Sequence, residues 1–161
     1  MVLPALRQGA KIIFISTDKA VDPISVMGMS KAMAERIVYS HREFIVRFSN
    51  VLNSRGSLLE TWTLQRQKNQ PLTITNFQAT RMLMTIEEAA SLILTVADAP
   101  QAGVYAPHSL TPITIESVYR WFDDKAPFTV TALRPGEKLH EVMWWTQERP
   151  KPYNDFVSVC D

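Results

Sequence analysis

The sequence predicts an α/β fold with parallel strand pairing, and three observations predict it. Short apolar runs rich in β-formers alternate with segments whose apolar residues recur at helical spacing. Two strands in succession lead through a polar loop into a helix, the order of a βα repeat. No internal repeat or low-complexity tract interrupts the alternation, and the longest apolar runs, Ile12–Ile15 and Ala89–Ala97, are too short or too interrupted to span a bilayer.

Met1–Ala10 has the apolar spacing of a helix tail stopped by Gly9, and Lys11–Ser16 reads as a buried strand. Asp22-Pro23 ends a loop, after which Val26–His41 carries Met29, Met33, Ile37 and Val38 at helical spacing. Phe44–Phe48 is a second strand; the turn-like Asn50–Gly56 leads into a helix over Ser57–Gln67. Pro71–Thr75 alternates like a strand. Thr85–Ala97 is an amphipathic helix with Thr85 as N-cap and Glu88 three residues later, the pattern of a capping box. Gly103–Ala106 is strand-like, Thr114–Phe122 reads as a helix with Glu116 in its first turn, Phe128–Leu133 as a strand and Glu137–Trp145 as a short helix. After Trp145 the tail reads as irregular. These pairs are too few for a complete doubly wound sheet.

The 17 basic and 16 acidic residues nearly cancel, which leaves no electrostatic footprint for nucleic acid or an anionic membrane. An anionic ligand must then be held by a few placed cations. The single cysteine, Cys160, allows no disulfide framework within one chain, and no signal-peptide h-region is evident, so a cytoplasmic location is expected. His41, His108 and His140 lack the spacing and companions of a zinc site, so no metal is expected. Trp144-Trp145 with Met143 reads as core or interface packing.

Ser16-Thr17-Asp18-Lys19 stands where the first strand ends, and in open α/β sheets ligands bind just outside the carboxyl ends of strands. A hydroxyl, a carboxylate and an amine in a row can orient a sugar hydroxyl, protonate a leaving group and abstract a carbon-bound proton. Alone, the four residues would read rather as a helix-capping or turn cluster. Eight residues after Lys19, Met27-Gly28-Met29-Ser30-Lys31 opens the long helix.

The combined string resembles the active-site segment of extended short-chain dehydrogenases, in which a Tyr-x-x-x-Lys pair stands on a helix one turn apart. The resemblance places Lys31 on the lysine that binds the nicotinamide ribose. It places Met27 on the tyrosine, where a thioether cannot exchange a proton. Ser16-Thr17-Asp18-Lys19-Ala20 followed by Met27-Gly28-x-Ser30-Lys31 is similar, more narrowly, to the polysaccharide-biosynthesis dehydratases acting on UDP-N-acetylhexosamines, one branch of which also carries methionine here.

Three further segments extend the resemblance. Arg47–Ser57 is similar to the family's R-x-GNVLGSRGS, with Ser49 and Asn53 in place of two glycines; Asn50 would contact the substrate diphosphate or sugar, and Arg55 would line the nucleotide cleft. Thr80-Arg81-Met82-Leu83-Met84-Thr85 looks like TRFFMT, whose arginine points at the pyrophosphate. Arg134-Pro135-Gly136-Glu137-Lys138-Leu139 matches RPGEKL, in which the arginine binds phosphate and the acidic residue binds the uridine ribose. A planar arginine fork and a helix N-terminus would both suit a diphosphate.

The resemblance implies the second half of a Rossmann-like sheet with its active-site segment over residues 1–70, intertwined with a UDP-sugar-binding subdomain over 71–161. The implied activity is nucleotide-sugar 4,6-dehydration with NAD(P) used catalytically and recycled. The implied roles are Asp18 as acid, Lys19 as the C5 base, Thr17 as partner of the C4 oxygen, and Ser16 and Lys31 at the cofactor. The G-x-G-x-x-G turn that grips the dinucleotide is missing, so a truncated form is expected, its first half lost or supplied by a second polypeptide. A homo-oligomer is expected of the full-length family. The alternatives are a UDP-sugar 4-epimerase on the same scaffold, or a non-catalytic remnant that binds UDP-sugar or a partner subunit.

Overall fold

The computed structural model describes residues 10–107, 110–145, 148, 151–153 and 156–159. The helix tail expected over Met1–Ala10, apart from Ala10, lies outside the described residues, as do His108 and Cys160.

The central sheet has five strands in the order β1-β2-β7-β11-β10. β1 (Ile13–Thr17), β2 (Phe44–Phe48) and β7 (Gly103–Pro107) run parallel, with Ile13 opposite Phe44 and Phe44 opposite Gly103. Sequence alternation along β2 explains how helices cover both faces. Phe44 and Val46 point to one side and pack with Leu92 and Val96 of α3 (Ile86–Ala97). Ile45 points to the other, into a cluster with Val38 of α1 (Val26–Ser40) and Val104 of β7. Both faces being covered, β2 has no polar side except at Arg47, and it reads as a continuous apolar run.

α1 begins where Ser25 caps it, its hydroxyl accepting the Gly28 N–H at 3.1 Å. α3 has the predicted capping box in full: Thr85 Oγ1 accepts from Glu88 N–H, and Glu88 accepts from Thr85 N–H. Beyond β2, the short strand β3 (Asn50–Val51) leads to α2 (Leu58–Gln67), capped by Ser57.

A second lobe is built on α2, β4 (Leu72–Ile74), α4 (Ile115–Asp123) and β9 (Phe128–Val130), around the buried Trp62, Leu72, Ile74 and Tyr119. The Trp62 indole donates to Thr73 O at 3.0 Å, so a large buried ring keeps its polar atom satisfied. Small pairings tie the lobes together: β3 runs parallel to β6 (Leu83–Met84), and β5 (Thr80–Arg81) antiparallel to β8 (Ile113–Thr114).

Three expectations need correction. Residues 137–145 form no helix, because their backbone groups are engaged elsewhere. Glu137 N–H closes the Pro135-Gly136 turn onto Arg134 O, Leu139 O accepts from Thr80 N–H at 2.9 Å, and His140 bridges to Thr80. The strand expected over Phe128–Leu133 ends at Val130. The tail is not irregular: β10 (Lys151–Tyr153) and β11 (Phe156–Val159) form a hairpin, and β11 pairs antiparallel with β7. Pro152 is tolerated because β10 is the edge strand of that sheet. Among the described residues no helix is long and apolar enough to cross a membrane.

Candidate active site

β1 ends at Thr17, whose hydroxyl caps a single 3-10 turn, Asp18–Ala20. That turn directs three consecutive side chains away from the sheet in different ways. Asp18 is fully buried, its Oδ1 accepting from Thr17 Oγ1 at 3.0 Å and from Lys19 Nζ at 3.0 Å. Lys19 is partly exposed, and its Nζ also donates to Asn50 Oδ1 at 3.3 Å. Asn50 is held in turn by β3 pairing and by its Nδ2, which donates to Met82 O at 3.2 Å. Predicted residues from two motifs thus meet at one amine.

A residue absent from the expected set joins them. Glu141 is buried and its Oε1 lies 3.9 Å from Lys19 Nζ, while Oε2 lies 3.5 Å from Lys138 Nζ. Lys138 also donates to Val21 O, just after the 3-10 turn. The extended course of residues 137–141 is what carries this carboxylate in.

The helix side is brought up by a close approach. A Cβ on Gly28 would stand 2.4 Å from Lys19 O, so only glycine lets α1 lie against the turn. The Arg134–Lys138 turn docks beside it: Gly136 has φ +80°, and its Cα hydrogen faces Ser25, where a Cβ would come within 2.8 Å. Met27 is exposed in the first turn of α1, and Lys31 follows one turn later, its Nζ donating to Ile15 O at 2.8 Å over the Phe14 ring.

Ser16 is placed differently from its neighbours. It is buried, and its hydroxyl donates to Glu35 Oε1 at 2.5 Å, away from the Lys19 cluster. Glu35 belongs to a buried network that the sequence reading missed. Arg47 forks onto both oxygens of Glu35 at 3.0 and 2.8 Å and onto both of Glu148 at 2.8 and 3.1 Å, and it donates to Met143 O. Burial alone would lower the Arg47 pKa, but the hydrogen bonds and charges of the two carboxylates reverse this and raise it. A signal was available, since an arginine inside the apolar strand Phe44–Phe48 must find buried acids.

The arginines divide into two kinds. Arg81 is paired with Glu137, its Nη2 donating to Oε1 at 2.9 Å, and Thr75 Oγ1 donates to the same oxygen at 3.0 Å. Glu137 Oε2 accepts from Arg134 N–H. Arg55 and Arg134 are exposed, and their guanidiniums have no ion pair among the described residues. The anion site expected at a helix N-terminus after Gly136 does not exist, because no helix starts there.

Both departures from the family pattern in Arg47–Ser57 are readable. Asn53 has φ +55°, a left-handed conformation that asparagine tolerates better than most residues. Ser49 buries a hydroxyl that has no hydrogen-bond partner among the described residues.

A family model described as "Polysaccharide biosynthesis protein" matches residues 5–158. The chain belongs to that family. It is 36% identical over 147 residues to capsular polysaccharide biosynthesis protein CapD of Staphylococcus aureus, covering 82% of this chain and 24% of that one. It is 31% identical over 159 residues to UDP-glucose 4-epimerase of Rickettsia bellii, covering 91% and 47%. Among solved structures, Pen from Bacillus thuringiensis superposes with a TM-score of 0.85 at 25% identity, over 93% of this chain and 52% of that chain. The chain therefore spans between about a quarter and about half the length of these relatives. Its fold is α/β, the second half of the parallel sheet of an extended short-chain dehydrogenase fold together with a smaller lobe, as the resemblance implied.

Proposed function

We propose that this chain carries the acid-base centre and nucleotide-facing lobe of a UDP-sugar 4,6-dehydratase, acting on UDP-N-acetylglucosamine or a close relative. One observation carries the reading. Among the described residues, the buried side-chain atoms without a hydrogen-bond partner are Asp18 Oδ2, Ser49 Oγ and Glu141 Oε2; Asp18 and Glu141 flank Lys19, and Ser49 adjoins the Asn50 that touches it. Unfilled polar capacity is costly to bury, and its concentration around one amine is expected of a site shaped for a polar substrate.

In this reading Asp18 holds a proton at Oδ2 for the departing C6 hydroxyl, and Lys19 Nζ accepts the C5 proton. Water leaves, and the C5–C6 double bond forms. The pair can reset itself: Lys19 Nζ, which gains the C5 proton, lies 3.0 Å from Asp18 Oδ1, so a transfer returns a proton to the Asp18 carboxyl and leaves the amine neutral again. Thr17, hydrogen-bonded to Asp18, orients the C4 oxygen. Asn50, Arg55 and Arg134 face the nucleotide, and Arg81 and Glu137 brace that side against each other.

NAD(P) is the recyclable hydride acceptor that such a reaction requires at C4. The residues present fit its nicotinamide end: Lys31 commits one of its three protons, to Ile15 O, and stands one turn from the exposed Met27. The sequence contains no G-x-G-x-x-G turn, so the adenosine end is to be held by residues outside this chain.

A 4-epimerase is the second reading, favoured by the Rickettsia bellii relative. Met27 does not separate the two readings, since both oxidise C4 and both need a group other than a thioether, such as the Thr17–Asp18 pair, to take up the C4 hydroxyl proton; the product does. The deciding experiment joins the chain to the dinucleotide-binding half of a family member and supplies UDP-N-acetylglucosamine. A product lighter by one water, lost in Lys19→Ala with UDP binding retained, is the expected result. An isomer of unchanged mass would establish the epimerase instead.

A further inference from the structure

We infer that Glu141 is a positioning residue that holds the Lys19 amine at its working place, acting from the far end of the chain. The inference rests on the proposed role of Lys19 and extends it.

Lys19 Nζ has two hydrogen-bonded partners, Asp18 Oδ1 at 3.0 Å and Asn50 Oδ1 at 3.3 Å. Glu141 Oε1, at 3.9 Å, supplies charge from a third direction without a direct hydrogen bond. Its own burial argues for a role beyond stability. The side chain is only 4% exposed, and among the described residues Oε2 lacks a hydrogen bond and pairs with the Lys138 ammonium at 3.5 Å. A buried carboxylate so incompletely satisfied costs stability, and an apolar residue there would be cheaper.

The function that offsets this cost follows from what Asp18 must do. When Asp18 turns toward substrate to deliver its Oδ2 proton, Lys19 loses its nearest hydrogen-bond partner just as it takes up the C5 proton and becomes an ammonium. Glu141 remains as a fixed negative partner, so the amine is neither released to solvent nor drawn along with Asp18. Lys138 anchors Glu141 by pairing with it and by donating to Val21 O, which ties the device to the loop that follows Lys19. Motif residues Arg134–Leu139 thereby do more than meet the nucleotide: they deliver Glu141 to the catalytic turn.

The test has two arms. In the first, the described chain is labelled at lysine ε-carbons, and the Lys19 resonance is identified by its loss in Lys19→Arg. Glu141→Gln, which keeps shape and removes charge, is expected to move that resonance while leaving the thermal midpoint close to the parent's. In the second, the chain completed with a dinucleotide-binding half is assayed for dehydration. Glu141→Gln should lower kcat by up to about a hundredfold with KM nearly unchanged, the signature of a misplaced catalytic group, and Glu141→Asp should recover part of the loss. An unmoved Lys19 resonance overturns the inference whatever the activity. A moved resonance with parental kcat overturns it too. If the completed parent does not dehydrate UDP-N-acetylglucosamine, the functional reading fails, and the resonance arm alone then decides whether Glu141 places Lys19.

Discussion

Replacing Arg47 with methionine removes the guanidinium that forks onto the Glu35 and Glu148 carboxylates. Arg47 is 2% exposed at its side chain, Glu35 7% and Glu148 17%, so neither acid can be rehydrated without local opening. Breaking a buried ion pair by deleting one partner costs about 3–5 kcal/mol. That is a large share of the roughly 5–15 kcal/mol by which a domain is stable. With a urea m-value of about 2 kcal/mol per molar for a chain of this size, a loss near 4 kcal/mol lowers the midpoint by about 2 M. Equilibrium urea unfolding followed by tryptophan fluorescence reads this directly, since Trp144 lies over the Arg47 guanidinium at 5.7 Å. Substituting methionine at Glu35 and Glu148 as well should return most of the loss, because the uncompensated charges are then gone. A single-mutant loss under about 1 kcal/mol, the range of exposed pairs, would refute the claim that this network is desolvated. The sign of the pH dependence is also fixed. The folded-state pKa of Arg47 is raised, so its charge contributes in full below arginine's ordinary range and is lost only as pH climbs through the raised value in strong alkali.

Gly28→Ala places a methyl 2.4 Å from Lys19 O, against backbone that cannot rotate away, and should cost about 1–3 kcal/mol as well as displacing the Lys19 turn; calorimetric melting checks the first and the Lys19 resonance the second. Arg134→Ala should weaken UDP binding about tenfold to a hundredfold, as expected for loss of a charge-assisted contact of roughly 1.5–3 kcal/mol, and leave uridine binding unchanged in titration calorimetry. Equal losses for both ligands would remove Arg134 from the phosphate site.

Local signals made most elements legible. α1, α3 and α4 each start where a serine or threonine precedes a helical apolar pattern, and the hydroxyl caps the helix in every case. The convergence of Thr17, Asp18, Lys19 and Asn50 was legible only through resemblance, since nothing in their spacing joins β1 to β3. The failures share one cause. Residues 137–145 have helical spacing but spend their backbone bonds on Thr80 and on their own turn, and the tail becomes strand because β7 offers it a free edge. Partners so distant in sequence leave no periodic trace. Glu141 was hidden for the same reason, whereas Arg47 announced itself as a charge within an apolar strand.

The course of residues 134–143 also sets an order of events during synthesis. This stretch meets Ser25, Val21, Lys19, Thr80 and Arg47, and two of these contacts close loops of 117 and 96 residues. Loops of that size are slow to close and are not rewarded until both ends exist. While the chain is being made, β1, α1 and β2 can therefore assemble with Lys19 still lacking Glu141 and with Glu35 and Arg47 still awaiting Glu148. The cluster around Lys19 is completed only as residues 134–148 dock, so a nascent or proteolysed chain ending before Arg134 would keep the β1-β2-β7 pairing yet lack Glu141 and Glu148.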